Sequence, residues 1–344
     1  MTEKNSPFDY LCIHEFMKGL IESRALLTAF ELGIIDFFIR KQPAGMDEIK
    51  KISKSKGHGF TLLMDLLTAN NVTEEFHGKI KLTKVFTDAL SFRDIMVAML
   101  QFATIATSDF TDLFSVLISE PEKFYSNSRI INLFGYNLSY DNKPENVEHA
   151  KLWMNITTTL TRYEAPVCIS LHDFSRYRHI VDIGGNSGEF ALQICKRHHG
   201  ISATVFDLPL VCDIGRKHVG QYPEANKITF QNGNAFRDPL PKGADLIIFK
   251  SMLHDWPDDA ATHLLSSAAE SLDPGGSILI FERAPLKLHD VSPPYSILPF
   301  LLFSQSFRTP ALYIEHLEKS GFSDITVKEV NLEMPFFLLC AVKK

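Results

Sequence analysis

The chain has 344 residues, of which 45% are hydrophobic and 22% are charged, and its formal net charge is −6. That length predicts one large or two ordinary domains, and the apolar fraction is enough for a sizeable core. The mildly acidic balance, without long blocks of like charge, argues against a protein that coats nucleic acid or an anionic membrane.

The cysteines and the hydropathy pattern predict the compartment. Five cysteines are scattered along the chain without C-x-x-C spacing, which is typical of reduced and mostly buried thiols. The first seven residues carry no apolar targeting segment, and we expect no stretch of membrane-spanning length. These features predict a cytoplasmic protein without membrane contact.

The first third of the chain predicts a helical unit that ends in a hairpin. Apolar residues recur at helical spacing over 12–38, and further helices are expected near 46–49 and 60–67. Two short strands around a turn are predicted over 72–83. This order of elements is typical of a winged helix, which we assign to residues 1–105.

A winged helix either binds DNA or serves as a packing and dimerisation module. The segment that would read DNA, residues 51–67, has lysines only at its start (Lys51, Lys54 and Lys56) and then becomes apolar. Because DNA binding requires a basic face, this pattern favours dimerisation, and we expect no nucleic-acid partner.

Residues 94–163 predict further helix, including the very apolar stretch 95–100. One small domain cannot bury so many apolar faces, so a homodimer with interleaved helices is the economical explanation. The boundary of the next domain is expected near 165–178. Residues 106–165 are then a helical linker, and residues 166–344 form the second domain.

The second domain is organised around a glycine turn. An apolar strand over 179–183 leads into Gly184-Gly185-Asn186-Ser187-Gly188, and a helix follows from about Glu189. Such a turn lets the backbone approach a ligand, and the following helix directs free N–H groups at it. One strand later, Asp207 stands where nucleotide-binding sheets place the acid that holds a ribose. We therefore expect a nucleoside-containing cofactor.

Strands and helices then alternate, which predicts an α/β domain with a parallel sheet. Strands are expected over 228–231, 244–250 and 277–282, with helices over 210–219 and 258–271.

His254 follows the carboxyl end of one of these strands, and Glu282 ends the neighbouring strand. Ligands bind along that rim of an open α/β sheet. A histidine beside a carboxylate can act as a general base near neutral pH, because the carboxylate fixes its tautomer and stabilises the imidazolium. The alternative is that His254 is an ordinary loop residue, but its place beside Glu282 favours the functional interpretation.

Other polar residues of the second domain have simpler interpretations. Asp255 precedes Trp256-Pro257-Asp258 as an N-cap precedes the first helical turn. The remaining histidines show no spacing of metal ligands, so we predict no metal site. Those considered are His14, His58, His77, His263 and His316.

Taken together, these segments resemble S-adenosylmethionine-dependent O-methyltransferases of the plant caffeic-acid and acetylserotonin type and their bacterial small-molecule-tailoring relatives. The similar segments, in chain order, are 181–188, 206–209, 233–236, 249–256, 273–276 and Glu282. The resemblance implies a Rossmann-like class I methyltransferase domain behind an N-terminal helical, winged-helix-like dimerisation domain. It also implies a homodimer that uses S-adenosyl-L-methionine and releases S-adenosyl-L-homocysteine.

The resemblance further implies roles for single residues. The cofactor would be held by Gly184, Gly185, Asp207, Leu208, Asn234, Ala235 and Lys250. Among these, Asp207 would hold the ribose hydroxyls, Leu208, Asn234 and Ala235 would lie beside the adenine, and Lys250 would border the cofactor from a strand end. His254 would deprotonate a phenol-like hydroxyl, and Glu282 would orient it. The linker would contribute to an acceptor pocket lined by Met154, Leu298 and Leu302.

The sequence departs from the family pattern at three positions. Asn186 replaces a glycine, which is tolerable if it adopts a positive φ, as asparagine does best among non-glycine residues. Asn234 replaces an aspartate but can still accept a hydrogen bond from the adenine amine. Phe307 replaces a second glutamate beside the histidine, so base activation would rest on Glu282 alone.

Three functions stay open at this point. The leading one is methyl transfer to a hydroxyl of an aromatic or polyketide-like small molecule. The second keeps S-adenosylmethionine but uses it for N- or C-methylation or without methyl transfer, which Phe307 encourages. The third is a winged-helix regulator whose second domain senses a small ligand.

Overall fold

A computed structural model describes residues 6–54, 58–286 and 293–344, so Lys56 lies outside the described residues. The α-helices are α1 Leu20–Glu31, α2 Ile34–Arg40, α3 Met46–Ile52, α4 Gly59–Ala69, α5 Lys84–Ala89, α6 Arg93–Ser119, α7 Pro121–Asn127, α8 Arg129–Leu133, α9 Pro144–Leu171, α10 Glu189–Arg197, α11 Pro209–Val219, α12 Asp258–Ser271, α13 Leu298–Leu302 and α14 Ala311–Lys319. The strands are β1 Thr73–Phe76, β2 Lys79–Leu82, β3 His179–Ile183, β4 Ser202–Asp207, β5 Ile228–Asn232, β6 Leu246–Lys250, β7 Ser277–Arg283, β8 Phe322–Asn331 and β9 Pro335–Lys343.

The described part of the chain divides into two compact units. The first contains the described residues up to Phe124, Ser128–Ile130 and the segment that ends at Leu302. It holds α1–α6 and the antiparallel hairpin of β1 and β2, which agrees with the predicted helices and hairpin of the first third. Its assignment as a winged helix stays a prediction.

The second unit contains Tyr125–Asn127, the described residues of Ile131–Lys287, and Phe303–Lys344. The predicted domain limits at residues 105 and 165 do not coincide with this division. Helix α6 runs past residue 105 as one helix of the first unit, and α9 continues through residue 165 to Leu171. Neither limit carries a break in the chain, because both fall inside long helices.

A seven-stranded sheet organises the second unit, in the order β5-β4-β3-β6-β7-β9-β8. The five strands from β3 to β7 are parallel, as predicted, whereas β9 runs antiparallel to both β7 and β8. The chain moves outward from β3 to β5 and then returns to place β6 on the other side of β3. This reversal is a topological switch point, where open α/β sheets bind ligands at the carboxyl ends of the strands.

The strands next to the switch point are buried on both faces. Residues Leu246–Phe249 of β6 are fully buried, and every residue of β7 is buried. Helices cover a sheet of this kind on both sides, which is why its strands read as continuous apolar runs. Four of the five cysteines are also buried, and all five are free thiols, as predicted.

The expectation that no stretch of the chain reaches membrane-spanning length is wrong. Among the described residues, the stretch Lys84–Ser119 contains an 18-residue window with a mean hydropathy of 1.4, long and apolar enough to cross a membrane. Half of that window is buried inside the structure, and a buried core helix passes the same test. Its apolar residues include Ile95, Met96 and Met99, which lie in the core.

Candidate active site

The glycine turn lies between β3 and α10, at the switch point. Gly184 has φ +65°, and a Cβ there would lie 2.7 Å from Cγ of Met252. Met252 belongs to the loop that follows β6, so this loop packs directly onto the turn. Asn186 has φ +56°, which confirms that asparagine takes a left-handed conformation at the position of the missing glycine.

Two carboxylates stand behind the turn. Asp207 ends β4 and is half-buried; its carboxylate accepts hydrogen bonds from the backbone N–H groups of Asn186 (2.8 Å) and Leu208 (2.7 Å). Asp182, inside β3, is fully buried, and its Oδ2 has no hydrogen-bond partner among the described residues. Burial raises the pKa of Asp207 to about 6, and burial together with the charge of Asp207 raises the pKa of Asp182 to about 7.

These features fit a nucleoside that carries a charged amino-acid group. The backbone around Gly185 has no room for a side chain, since a Cβ there would lie 2.7 Å from the carboxyl carbon of Asp182. Asp207 offers a partly accessible acceptor for hydroxyl groups, and Oδ2 of Asp182 is a buried carboxyl oxygen without a hydrogen-bond partner among the described residues. The sequence analysis assigned Asp182 no role, although an acid inside an apolar strand was a usable signal.

Asn234 lies at the turn after β5. Its Oδ1 accepts the N–H of Phe236 (2.8 Å), and its Nδ2 bonds the hydroxyl of Tyr140 (2.6 Å). Leu208 and Ala235, which directly follow Asp207 and Asn234 in the chain, are half-buried. The side chain of Asn234 is therefore already fixed in place, with one lone pair of its oxygen left to accept another hydrogen bond.

The loop that follows β6 carries His254, and Glu282 at the end of β7 holds it. One oxygen of Glu282 accepts the N–H groups of Met252 (2.7 Å) and Leu253 (2.8 Å). The other oxygen lies 2.5 Å from Nδ1 of His254. The predicted pairing of histidine and carboxylate on adjacent strands is therefore present, and Glu282 fixes both the loop and the ring.

Three further contacts fix this loop. Ser251 has φ +49°, a left-handed conformation that costs a non-glycine residue about 1–2 kcal/mol. Arg283 donates to its hydroxyl (3.2 Å), and Arg308 donates to the carbonyl oxygens of Leu253 (3.1 Å) and Trp256. The sequence analysis gave no role to either arginine.

Asp255 is not an N-cap, which corrects the sequence interpretation. Helix α12 begins at Asp258 with Pro257 at its N-cap position. The carboxylate of Asp255 instead accepts the hydroxyl of Tyr136 (2.7 Å), and its Oδ1 lies 3.4 Å from Nε2 of His254. Two carboxylates thus flank the imidazole, one near each ring nitrogen, while the ring of Phe307 meets it edge-on at 5.4 Å between centroids.

The charges around His254 set its protonation. Burial would lower the pKa of His254, but the negative charges of Glu282 and Asp255 outweigh it and raise that pKa above its usual 6.5. Burial opposes ionisation of Glu282 too, but the histidine charge and three hydrogen bonds lower its pKa. Glu282 therefore stabilises the imidazolium that forms when His254 takes up a proton.

Lys250, predicted to border the cofactor, belongs to a buried group of four charges. Its ammonium pairs with Glu164 of α9 and also donates to Thr161 (3.0 Å). Arg283 bonds the other oxygen of Glu164 (2.5 Å) and Glu333 (2.9 Å). Burial disfavours the charge of Glu164, but the two cations outweigh burial and lower its pKa.

The predicted acceptor residues fall in different units. Met154 of α9 is buried in the second unit, whereas Leu298 and Leu302 of α13 are buried in the first. The second unit also contains a chain of aromatic contacts that the sequence analysis missed. It joins Phe303, Phe134, Trp153, Tyr136, Trp256 and Phe236. Within the described ranges, no three His, Cys, Asp or Glu residues are grouped so that they could hold a metal ion.

A family model described as an O-methyltransferase domain matches residues 112–323, which is more than half of the chain. The chain belongs to the O-methyltransferase family. This match confirms the family and the enzyme class predicted from the sequence. Together with the similar solved structures it also confirms the Rossmann-like class I fold and S-adenosyl-L-methionine as methyl donor.

Individual O-methyltransferases are similar over nearly the whole chain. Acetylserotonin O-methyltransferase from Homo sapiens is 25% identical over 348 positions, covering 94% of this chain and 95% of that protein. The crystal structure of human N-acetylserotonin methyltransferase in complex with S-adenosylmethionine superposes with a TM-score of 0.68 at 22% identity, over 94% of each chain. The mitomycin 7-O-methyltransferase structure gives 0.69 at 19% identity, again over 94% of each chain. Both structural likenesses show the fold.

The buried charge group generates a stability prediction. Glu164→Gln leaves Lys250 and Arg283 without their shared carboxylate, so the free energy of unfolding should fall by about 3–5 kcal/mol. Urea unfolding followed by circular dichroism measures this change. Glu145→Gln, at an exposed position of the same helix, is the control and should change it by less than about 0.5 kcal/mol. Equal effects of the two substitutions would contradict the role of Glu164.

Proposed function

We propose that this O-methyltransferase moves a methyl group to a hydroxyl of a small aromatic or polyketide-like molecule, with His254 as general base and Glu282 as its orienting carboxylate. The observation that carries the proposal is the 2.5 Å contact between Nδ1 of His254 and Glu282. Because Nδ1 donates to the carboxylate, the lone pair of the neutral ring lies on Nε2, which is the atom that can take a proton.

S-adenosylmethionine, when bound, supplies a methyl group on a sulfonium that is already electrophilic. The protein then has to hold the acceptor oxygen in line and to remove its proton. The proton passes from the hydroxyl to Nε2 of His254, and the resulting imidazolium is stabilised by Glu282. A positioned base of this kind contributes about 10²–10⁴-fold to the rate, and alignment contributes the larger share.

The cofactor residues of the proposal are those at the carboxyl ends of β3 to β6. Gly184 and Gly185, whose missing side chains let the turn pack closely against Met252 and Asp182, line the cofactor with their backbone. Asp207 binds the ribose hydroxyls, and Lys250 borders the ligand. Leu208, Asn234 and Ala235 contact the adenine. The half-buried carboxylate of Asp207 and the orphaned oxygen of Asp182 support this placement.

The proposed acceptor is flat and hydrophobic. The aromatic chain from Phe303 to Phe236 lies in the same unit as His254, and aromatic walls favour planar ligands. Met154, which is buried in the same unit, is proposed to line this pocket. The roles predicted for Leu298, Leu302 and the linker residues 106–165 stay predictions. The relatives named above act, by their names, on acetylserotonin and mitomycin.

The proposal includes a homodimer in the cytoplasm. Phe110, Phe114 and Ile118 follow each other at helical spacing on α6, and each is more than a third exposed. A contiguous apolar stripe of this kind is typical of an interface, and a second copy of the chain is its proposed partner.

N- or C-methylation is the second candidate, because Phe307 provides no carboxylate beside His254. Asp255 places a carboxylate 3.4 Å from Nε2 of His254 and meets this objection, so O-methylation is favoured. A panel of phenols, amines and carbon acids assayed for S-adenosylhomocysteine release separates these chemistries. Turnover confined to amines or carbon acids would contradict the proposal.

His254→Ala and Asp207→Ala should have opposite kinetic signatures. Loss of the base should lower kcat about 10²-fold or more while cofactor affinity changes little. Loss of Asp207 should weaken the cofactor, because its ribose contacts disappear. Isothermal titration with S-adenosylhomocysteine and steady-state kinetics measure the two effects. If His254→Ala mainly lost cofactor binding, its role would be structural.

Glu282→Gln should lower kcat on the order of 10²-fold and move the acid limb of kcat/KM to lower pH. The base works only when neutral, and the glutamate charge raises the pKa of His254, so activity is lost as the pH falls through that raised value. Without the charge the histidine stays neutral to lower pH. Glutamine keeps the oxygen that accepts from Met252 and Leu253, so the loop should stay folded. An acid limb that did not move, or that moved to higher pH, would be incompatible with this pairing.

The homodimer can be tested on α6. The wild-type chain should scatter light as about twice 38.9 kDa, and Phe114→Lys with Ile118→Lys should give monomers. Val327→Lys, at an exposed apolar position of β8, is the control and should leave the mass unchanged. A wild-type monomer at micromolar concentration would overturn the dimer.

A further inference from the structure

Tyr136 lies in a segment that the sequence analysis treated only as linker, yet it contacts the catalytic loop. It opens a single 3-10 turn, Tyr136–Leu138, between α8 and α9. Its hydroxyl donates to Oδ2 of Asp255 (2.7 Å), and Oδ1 of the same carboxylate lies 3.4 Å from Nε2 of His254. Tyr136 is thus one hydrogen bond away from the group that faces the proposed base atom.

The ring of Tyr136 is held between two indoles. Its centroid is 5.8 Å from that of Trp153, edge-on at 82°, and 6.1 Å from that of Trp256 at 32°. Trp153 is buried in α9. These contacts restrict the ring, so its hydroxyl donor has a defined direction.

Besides Glu282, the imidazole of His254 has the ring of Phe307 and the carboxylate of Asp255 as neighbours. Phe307 is buried and meets the imidazole edge-on, and a benzyl ring cannot accept a hydrogen bond from an N–H. Oδ1 of Asp255 lies near Nε2, and the contacts of Arg308 with Leu253 and Trp256 hold the backbone of the loop but do not bond this carboxylate. Among the contacts of the described residues, the hydroxyl of Tyr136 is the one that ties down Oδ2.

The electrostatics agree with this arrangement. The charged groups that act on His254 are Glu282, Asp255 and Arg283, and those that act on Asp255 are His254, Glu282 and Arg283. Loss of solvent around its carboxyl group raises the pKa of Asp255 above its usual value, and the charge of His254 and the hydrogen bond from Tyr136 offset part of that rise. Loss of solvent and the charges of Asp255 and Asp207 raise the pKa of Tyr136, so this tyrosine is a neutral donor at physiological pH.

We propose that Tyr136 is a positioning residue, which holds Asp255 beside Nε2 of His254 and so supplies the second acidic flank that Phe307 lacks. The inference rests on the proposed role of His254 as the base. In this arrangement the tyrosine hydroxyl orients Asp255 and favours its ionised form, and the ionised carboxylate strengthens His254 as a base. Tyr136 itself transfers no proton to or from the acceptor.

The test is Tyr136→Phe, which keeps the ring between the two tryptophans and removes only the hydroxyl. Without that donor, Asp255 protonates more readily and its charge supports the imidazolium less. The acid limb of kcat/KM and the pKa of His254, followed by NMR of labelled histidine, should both move to lower pH by about half a unit or more. A purely structural role for the ring would leave both values unchanged.

Tyr140→Phe is the matched control. It lies four residues along the same segment and bonds Asn234 instead of Asp255, so its loss should not move the titration of His254. An equal shift in Tyr140→Phe would overturn the proposal, because the effect would then belong to the segment and not to the contact with Asp255.

A double-mutant cycle completes the test. Asp255→Asn should itself move the titration of His254 to lower pH, and in that background Tyr136→Phe should add no further shift. An additive shift would contradict an action through Asp255. The NMR titration does not depend on turnover, so an inactive wild-type protein would count against the proposed function while this inference would still be decided.

Discussion

The pairing of β6 with β7 is the constraint on which the site depends. Parallel register brings Lys250 opposite Phe281, so the loop after β6 begins level with Glu282. From there a single carboxylate serves two purposes, since one oxygen binds two backbone N–H groups of the loop and the other binds His254. The ring is positioned by the sheet itself, and a rigid scaffold of this kind is what a positioned general base requires.

Buried charges also support the loop that follows β6. Arg283 follows Glu282 directly, bonds Ser251 at the start of the loop, and pairs with Glu164 and Glu333. Lys250 joins the group through Glu164, so two cations and two carboxylates balance each other in the interior. Such a group is costly to break because any single loss strands a buried charge. It also keeps Lys250 close to Asp182 beside the glycine turn, where the lysine offsets part of the rise in the pKa of that acid that burial and Asp207 cause.

Much of the second unit could be predicted because each local pattern agreed with the fold. The strand 179–183 and the helix 258–271 have the predicted limits, and the pairing of His254 with Glu282 follows from their places at the ends of adjacent strands.

The contacts of Tyr136 and Arg308 could not be predicted, because both reach the loop across more than 50 residues of chain. Asp255 was misassigned because a short polar residue before a helix usually caps it, and here a tertiary hydroxyl binds it instead. The apolar length of α6 was underestimated from the sequence; Ile95, Met96 and Met99 of this helix are buried in the structure.

The central claim is that His254 faces the methyl donor across the acceptor site. A crystal structure with S-adenosylhomocysteine bound tests it most directly. The account predicts the nucleoside on the Gly184 turn, its ribose hydroxyls on Asp207, and Nε2 of His254 facing the sulfur across a space that admits an aromatic ring. A ligand bound elsewhere, or an imidazole separated from the sulfur by packed side chains, would contradict it.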